Sequence, residues 1–150
     1  MYTLSFEPPF EYTNDVRALL GVTSEELTDE YILSIAIVGQ AEQDLYDLVP
    51  NIKTLIEDPA ITDLKANQLM IAFINLIAFY AYHPLKVLLL SAETDNKTTA
   101  TRFKDALTRD PNEFKAKAIK QLTQIGVIAS TGQYDLFSVV SPVTDVITGV

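Results

Sequence analysis

The apolar positions of this chain crowd into one stretch, Leu69-Met70-Ile71-Ala72-Phe73-Ile74-Asn75-Leu76-Ile77-Ala78-Phe79-Tyr80-Ala81-Tyr82. It predicts a helix from about Thr62 to Tyr82, with the Thr62 hydroxyl accepting a first-turn N–H and Asp63 set against the positive end of the helix dipole. Lys65, Gln68 and Asn75 return to nearly one angle, because offsets of three and seven residues share a face. Past Asn75 the helical wheel is apolar all round, so this helix must be surrounded, by its own domain or by neighbouring subunits. The run falls short of the roughly 20 residues that cross a bilayer, and charged segments flank it. It reads as a core helix, with no membrane as partner. His83-Pro84 then ends or kinks it.

Upstream, Tyr2, Leu4 and Phe6 alternate and lead into Pro8-Pro9, Phe10 and Tyr12. Residues 1–13 therefore read as an extended arm, packed on its own domain or on a neighbour. Asn14 is placed to cap a short helix, Asp15 to Leu20, which Gly21 stops in a left-handed conformation. Thr23 and Glu26 form a capping-box pattern, and Thr28 precedes Asp29 and Glu30. From there one long helix is expected to about Leu48, with Tyr31, Ile35, Val38, Leu45 and Val49 on its apolar face. Gly39 inside it costs about 1 kcal/mol relative to alanine, so either another group approaches there or the helix is locally weak. Pro50 ends this helix and opens a single turn through Ile56, and Asp58-Pro59 marks the next break.

Downstream of Pro84, Leu85 to Leu90 continues as a buried or half-buried helix, and the polar run Ser91 to Thr99 reads as an exposed loop. A modest helix spans Thr101 to Thr108. Asp110-Pro111-Asn112-Glu113 is a well-formed start, with an acidic cap, proline at the first helical position and glutamate two further on. The helix it opens carries Phe114, Ala118, Leu122 and Ile125 as its apolar stripe, keeps Lys115, Lys117 and Lys120 off it, and closes at Gly126. Residues 127–150 change character. Leu136, Phe137, Val139, Val140, Val143, Val146 and Ile147 make an extended or β-prone arm without a visible partner strand. The fold class is thus mainly α: a single-domain helical bundle, residues 14–126, around a buried central helix, with an extended arm at each end.

Charge adds an asymmetry. The 150 residues carry a formal net charge of −9. Residues 1–85 hold thirteen acids against Arg17, Lys53 and Lys65, while Lys86, Lys97, Arg102, Lys104, Arg109, Lys115, Lys117 and Lys120 make residues 86–120 net basic. Overall acidity argues against sequence-independent nucleic-acid binding, which needs surplus cations to displace counterions. The chain has no cysteine, which removes disulfides and thiolate metal sites. No basic, apolar leader opens it, so a secretory signal is not expected.

Candidate chemistry is sparse. His83 is the single histidine, so neither a histidine triad nor a multi-histidine metal site can form within one chain. Glu42, Asp44 and Asp47 read as a solvated acidic face, without calcium-loop spacing. Glu25, Glu26, Asp29 and Glu30 read as helix-start electrostatics. Ser34 and Ser91 have no partner base. No catalytic residue, metal ligand or cofactor is assigned. The residues singled out are candidate interface positions. On the tail they are Tyr134, Leu136, Phe137, Val139, Val140, Val143, Val146 and Ile147. On the charged segments they are Arg109, Lys115 and Lys117, set against Glu25, Glu26, Asp29 and Glu30 of an adjacent copy.

The segment Asp15-Val16-Arg17-Ala18-Leu19-Leu20-Gly21-Val22, followed by Leu27-Thr28-Asp29 and Ile32, resembles the opening of the head–tail connector family of tailed bacteriophages, the adaptor or head-completion proteins. Ala41-Glu42-Gln43-Asp44-Leu45, the apolar central helix, and Glu93-Thr94-Asp95 leading to Lys97 and Arg102-Phe103 also look like that family. The resemblance covers roughly residues 14–125 and rests mostly on caps and core positions. It implies a structural virion protein and not an enzyme. Its subunits, made in the host cytoplasm, assemble as a homo-oligomeric ring, usually a dodecamer, in the neck. Such a ring docks under the portal protein, extends the channel through which packaged DNA passes without specific binding, and joins the head to a tail, stopper or terminator protein. The alternative class is a helical nucleic-acid-binding domain that uses residues 111–125.

Overall fold

The central apolar stretch forms the longest element, Asp63–Glu93, and the other helices are laid against it. The computed structural model describes residues 1–8, 11–93 and 108–127. In chain order the α-helices are α1 (Thr13–Leu20), α2 (Asp29–Ile32), α3 (Gln40–Leu48), α4 (Ile52–Glu57), α5 (Asp63–Glu93) and α6 (Asn112–Gln124), with a π-helical segment, Ile35–Gly39, leading directly into α3. No strand occurs among the described residues. The fold is mainly α.

Helix α5 begins where the sequence places it: the Thr62 hydroxyl accepts the Lys65 N–H at 3.3 Å. From Ala72 to Ala78 every residue is buried, Asn75 included. Phe73, Leu76 and Ile77 lose essentially all exposure, each contributing about 1.5–3 kcal/mol of transfer free energy. Phe73 is bracketed by the rings of Phe6 from the N-terminal arm, 5.4 Å away, and of Tyr12, 5.7 Å away. Helix α6 lies along α5 through Phe114, Ala118 and Leu122, three of the four residues of the expected stripe, all fully buried, while the fourth, Ile125, is half-buried. The Asp110 carboxylate accepts the Asn112 N–H at 3.0 Å, and Gly126 closes the helix at φ 74°. By length and composition Asp63–Leu89 resembles a membrane span, but more than half of its apolar window is covered by the fold.

Four local expectations are corrected. The helix does not end at Pro84 but runs on to Glu93, without the backbone bond that Pro84 cannot donate to the Tyr80 carbonyl, and Ser91 to Glu93 are helix, not loop. At α1 the helix starts at Thr13, and the Asn14 side chain accepts from Arg17 at 2.9 Å instead of capping the turn. Thr23 and Glu26 do make half a capping box, Thr23 N–H to the Glu26 carboxylate at 2.7 Å, yet only a turn follows.

The largest correction concerns residues 28–48. The expected single helix breaks at Leu33-Ser34, where Ser34 is extended (φ −74°, ψ 154°). The break frees the Leu33 carbonyl, and the Tyr2 N–H of the arm takes it at 2.8 Å. The interruption resets the helical phase. Ile32, Ile37, Val38, Ala41, Leu45 and Val49 face inward, while Tyr31 and Ile35, expected in the core, are 46% and 69% exposed. Gly39 lies in the π-helical segment. A Cβ there would stand 3.0 Å from Ile35 Cγ1 and 3.5 Å from the Tyr2 ring, so the space is already taken by the arm. Both readings of Gly39 hold: the helix is irregular there, and another group approaches.

Candidate functional site

Three places on the described surface bring chemistry-bearing side chains together. The first is the clasp that holds the N-terminal arm. Glu42 in α3 accepts the Tyr2 hydroxyl at 2.7 Å, the Ser5 N–H at 2.7 Å and the Ser5 hydroxyl, whose oxygen also lies 2.8 Å from the Tyr46 hydroxyl. Glu42 is only 3% exposed. Its assignment to a solvated acidic face is therefore overturned: the returning arm covers the carboxylate and supplies the donors that a buried charge requires. The hydrogen bond to Glu42 raises the Tyr2 phenol above its ordinary range, with burial adding to it. A hollow of about 560 Å³ beside the arm is lined by residues 1–8, Tyr12 and Glu57. Helical spacing does not reveal the role of Glu42, because its partners lie some forty residues away; the aromatic content of the arm was the available signal.

The second place joins α3, α5 and α6. Asp44 accepts the Tyr80 hydroxyl at 2.8 Å and pairs with the Lys115 ammonium at 3.1 Å, which also lies 5.3 Å from the Phe79 ring centroid. Burial first, then the hydrogen bond to Asp44, pushes the Tyr80 phenol up to about 12. Lys115, expected to meet an acid of an adjacent copy, meets one of its own chain, because its helix is packed on α5 beside α3. Arg109 is likewise engaged internally: it donates to the Leu19 carbonyl at 3.0 Å, at the C-terminal end of α1, and lies 4.8 Å over the Phe114 ring. Lys117 and Lys120 are exposed on α6.

The acids proposed to face them are scattered. Glu25 and Glu30 are exposed, and Glu26 accepts from Thr23. Asp29 pairs with Arg17, a buried guanidinium that also donates to the Leu27 carbonyl at 2.7 Å. This pairing holds the Asp29 carboxyl below the usual carboxylate range. The tail positions Tyr134, Leu136, Phe137, Val139, Val140, Val143, Val146 and Ile147 lie outside the described residues.

The third place is a groove of about 330 Å³ between α1 and α5, lined by Asp15, Leu19, Ile71, Ile74 and Asn75. The Asn75 amide nitrogen donates to the Ile71 carbonyl at 2.8 Å. A carbonyl can only accept, which fixes the amide orientation and leaves Oδ1 buried without a hydrogen-bond partner. Such an acceptor costs about 1–3 kcal/mol while it stays unpaired. Ile71 beside it is 41% exposed, and Leu64, seven residues earlier on the same face, is 68% exposed.

Among the described residues no three of His, Cys, Asp and Glu gather as a metal-holding group, and His83 is exposed on α5. The chemistry on offer is that of surfaces: a pinned arm, a groove with an unpaired acceptor, and exposed apolar side chains at Tyr31, Ile35, Leu64, Ile71 and Val87. The chain matches no protein-family model, no curated protein and no solved structure.

Proposed function

We propose that this chain is a subunit of a bacteriophage head–tail connector ring that docks under the portal protein, extends the DNA channel and receives the tail or a stopper protein. The observation that carries the reading is the behaviour of the residues on which the resemblance rests. Val16, Leu20, Val22, Leu27 and Ile32 are buried in one core, and Arg17 ties α1 to the Leu27 carbonyl and to Asp29. The string on which the resemblance rests is thus one folded unit. Two further features support it. Large apolar side chains are exposed on separate parts of a well-filled helical domain, which is what a subunit with neighbours on more than one side requires. The acidic balance of residues 1–85 suits a wall past which DNA slides, since it repels phosphate.

The alternative, nucleic-acid binding by residues 111–125, loses ground on one contact. Lys115 is committed to Asp44, so only Lys117 and Lys120 of the three lysines remain for phosphate.

Negative-stain imaging of the purified protein, alone and mixed with a portal ring, tests the proposal. Closed rings, or added density on the portal, are the expected result. Salt-dependent retention on DNA with neither would favour the alternative. Sedimentation at low and at about 1 M salt adds a second check, because the Debye length then falls to roughly 3 Å and rim pairs involving Lys117, Glu25 or Glu30 are screened.

A further inference from the structure

The groove between α1 and α5 has the properties of a receiving site. It is walled by Leu19, Ile71 and Ile74, measures about 330 Å³, and is also lined by Asn75, whose buried Oδ1 has no hydrogen-bond partner. Its occupant must therefore be apolar and carry an N–H or O–H. Asp15 on the wall excludes an acidic one.

The same chain displays such an occupant elsewhere. Tyr31 is 46% exposed, and Ile35, four residues on, is 69% exposed. The Tyr31 hydroxyl makes no hydrogen bond among the described residues. Within one chain the two features lie on opposite sides of α1. Asp15 and Leu19, four apart, share the face that lines the groove, whereas Arg17, about 200° round the helix from Asp15, reaches the other way to Asp29 at the start of α2, the helix that carries Tyr31. Tyr31 cannot enter its own groove.

The geometry points to a head-to-tail contact between copies of this chain, in which Tyr31 and Ile35 of one copy seat in the α1–α5 groove of the next and the Tyr31 hydroxyl donates to Asn75 Oδ1. The proposal rests on the ring reading above and names the contact that builds the ring. Knob and socket are different surfaces, so each copy offers one to either neighbour, and repetition closes a ring or extends a filament. Because Oδ1 is buried, a turn of the Leu19 or Ile71 side chain, both of which line the groove, opens the path to it. Leu64, one heptad before Ile71, extends the apolar strip beyond the socket.

Disulfide trapping tests this on the full chain, which has no cysteine of its own. Ile35→Cys and Ile71→Cys are both at exposed positions and should leave the far-ultraviolet circular dichroism unchanged. On oxidation, a mixture of the two single variants should give covalent dimers, each variant alone should not, and a chain carrying both should give a ladder. Sedimentation of the unmodified protein from micromolar to millimolar concentration is run beside it. Tyr31→Ala should weaken self-association by tenfold or more, and Tyr31→Phe by about tenfold, the share of one hydrogen bond to a buried acceptor. Oligomers that form without trapping, and that ignore both Tyr31 variants, overturn this contact but leave the ring reading standing. Monomers at every concentration overturn this contact, and overturn the ring reading as well when the protein also adds no density to a portal ring.

Discussion

Glu42 and Tyr2 stand forty residues apart in the chain and 2.7 Å apart in the fold. That contact turns a glutamate from the acidic face of a helix into the anchor of the N-terminal arm. Glu42→Ala should destabilise the protein by about 1–3 kcal/mol, because it strips the partner from Tyr2 and Ser5 at once. Tyr2→Phe, which removes one donor, should cost about 1 kcal/mol. Denaturant melts measure both, and limited proteolysis should show cleavage within residues 1–8 of the Glu42 variant. Equal protease resistance in the variant and the parent would mean that Phe6 against Phe73 holds the arm unaided.

Helix α5 sets the stability of the whole domain. Ile77 has no exposed surface, so Ile77→Ala should cost roughly 2–5 kcal/mol, through lost transfer energy and a residual cavity. Ile77→Asp should prevent folding, since it would place a charge among fully buried apolar side chains. A cooperative melt of the aspartate variant near the parental midpoint would contradict the packing described here.

Acid should loosen the junction of α1 and α2. The hydrogen bond from Arg17 lowers the Asp29 carboxyl below its ordinary value, 3.8. A depressed carboxylate contributes stability that is present above the unfolded value and is lost as pH falls through the folded one. Stability measured against pH should therefore decline below about pH 4, and Asp29→Asn should flatten that limb. An unaltered acid limb in the variant would show that Arg17 is held by Leu27 and Asn14 without it.

Alkali should act through two tyrosines. Burial pushes Tyr12 up to about 12, and burial with the Asp44 hydrogen bond does the same for Tyr80. A phenol raised in the folded state gives stability that is complete below the ordinary value of 10.0 and fades as pH climbs towards 12. Tyrosinate absorbance should show Tyr12 and Tyr80 among the late-titrating groups. Asp44→Asn should bring the Tyr80 phenol part of the way down, leaving the contribution of burial, and should leave Tyr12 where it is.

Helix identity was legible wherever periodicity and caps agreed. Thr62, Asp110, Gly21 and Gly126 mark their helix ends by local chemistry alone, and Phe114, Ala118 and Leu122 declare a buried face by spacing. Residues 31–39 were not legible, because the break at Ser34 depends on a distant partner: the Leu33 carbonyl, released from the helix, accepts the Tyr2 N–H instead. Shifting the helical phase there moved Tyr31 and Ile35 from core to surface, the two side chains on which the proposed contact depends. Lys115 and Arg109 were visible as basic residues, but only packing assigns them to Asp44 and Leu19 of the same chain. Asn75 stood out as a polar letter in an apolar run, and its unpaired oxygen emerged only once Ile71 was seen to occupy the amide nitrogen.

The placement of α6 against α5 has a consequence for synthesis. Phe114, Ala118 and Leu122 supply one wall of the core, and they leave the ribosome long after the helix they cover. A nascent chain that has reached Glu93 but not Gln124 carries the completed apolar helix with one flank bare, the kind of species that aggregates or engages a chaperone. Chains stalled or truncated before α6 should accordingly be recovered in the insoluble fraction, while those ending just past Val127 should not. The folding of each chain is thus timed by its last described helix, and a fragment that ends between Glu93 and Gln124 is more hazardous to the cell than a shorter one.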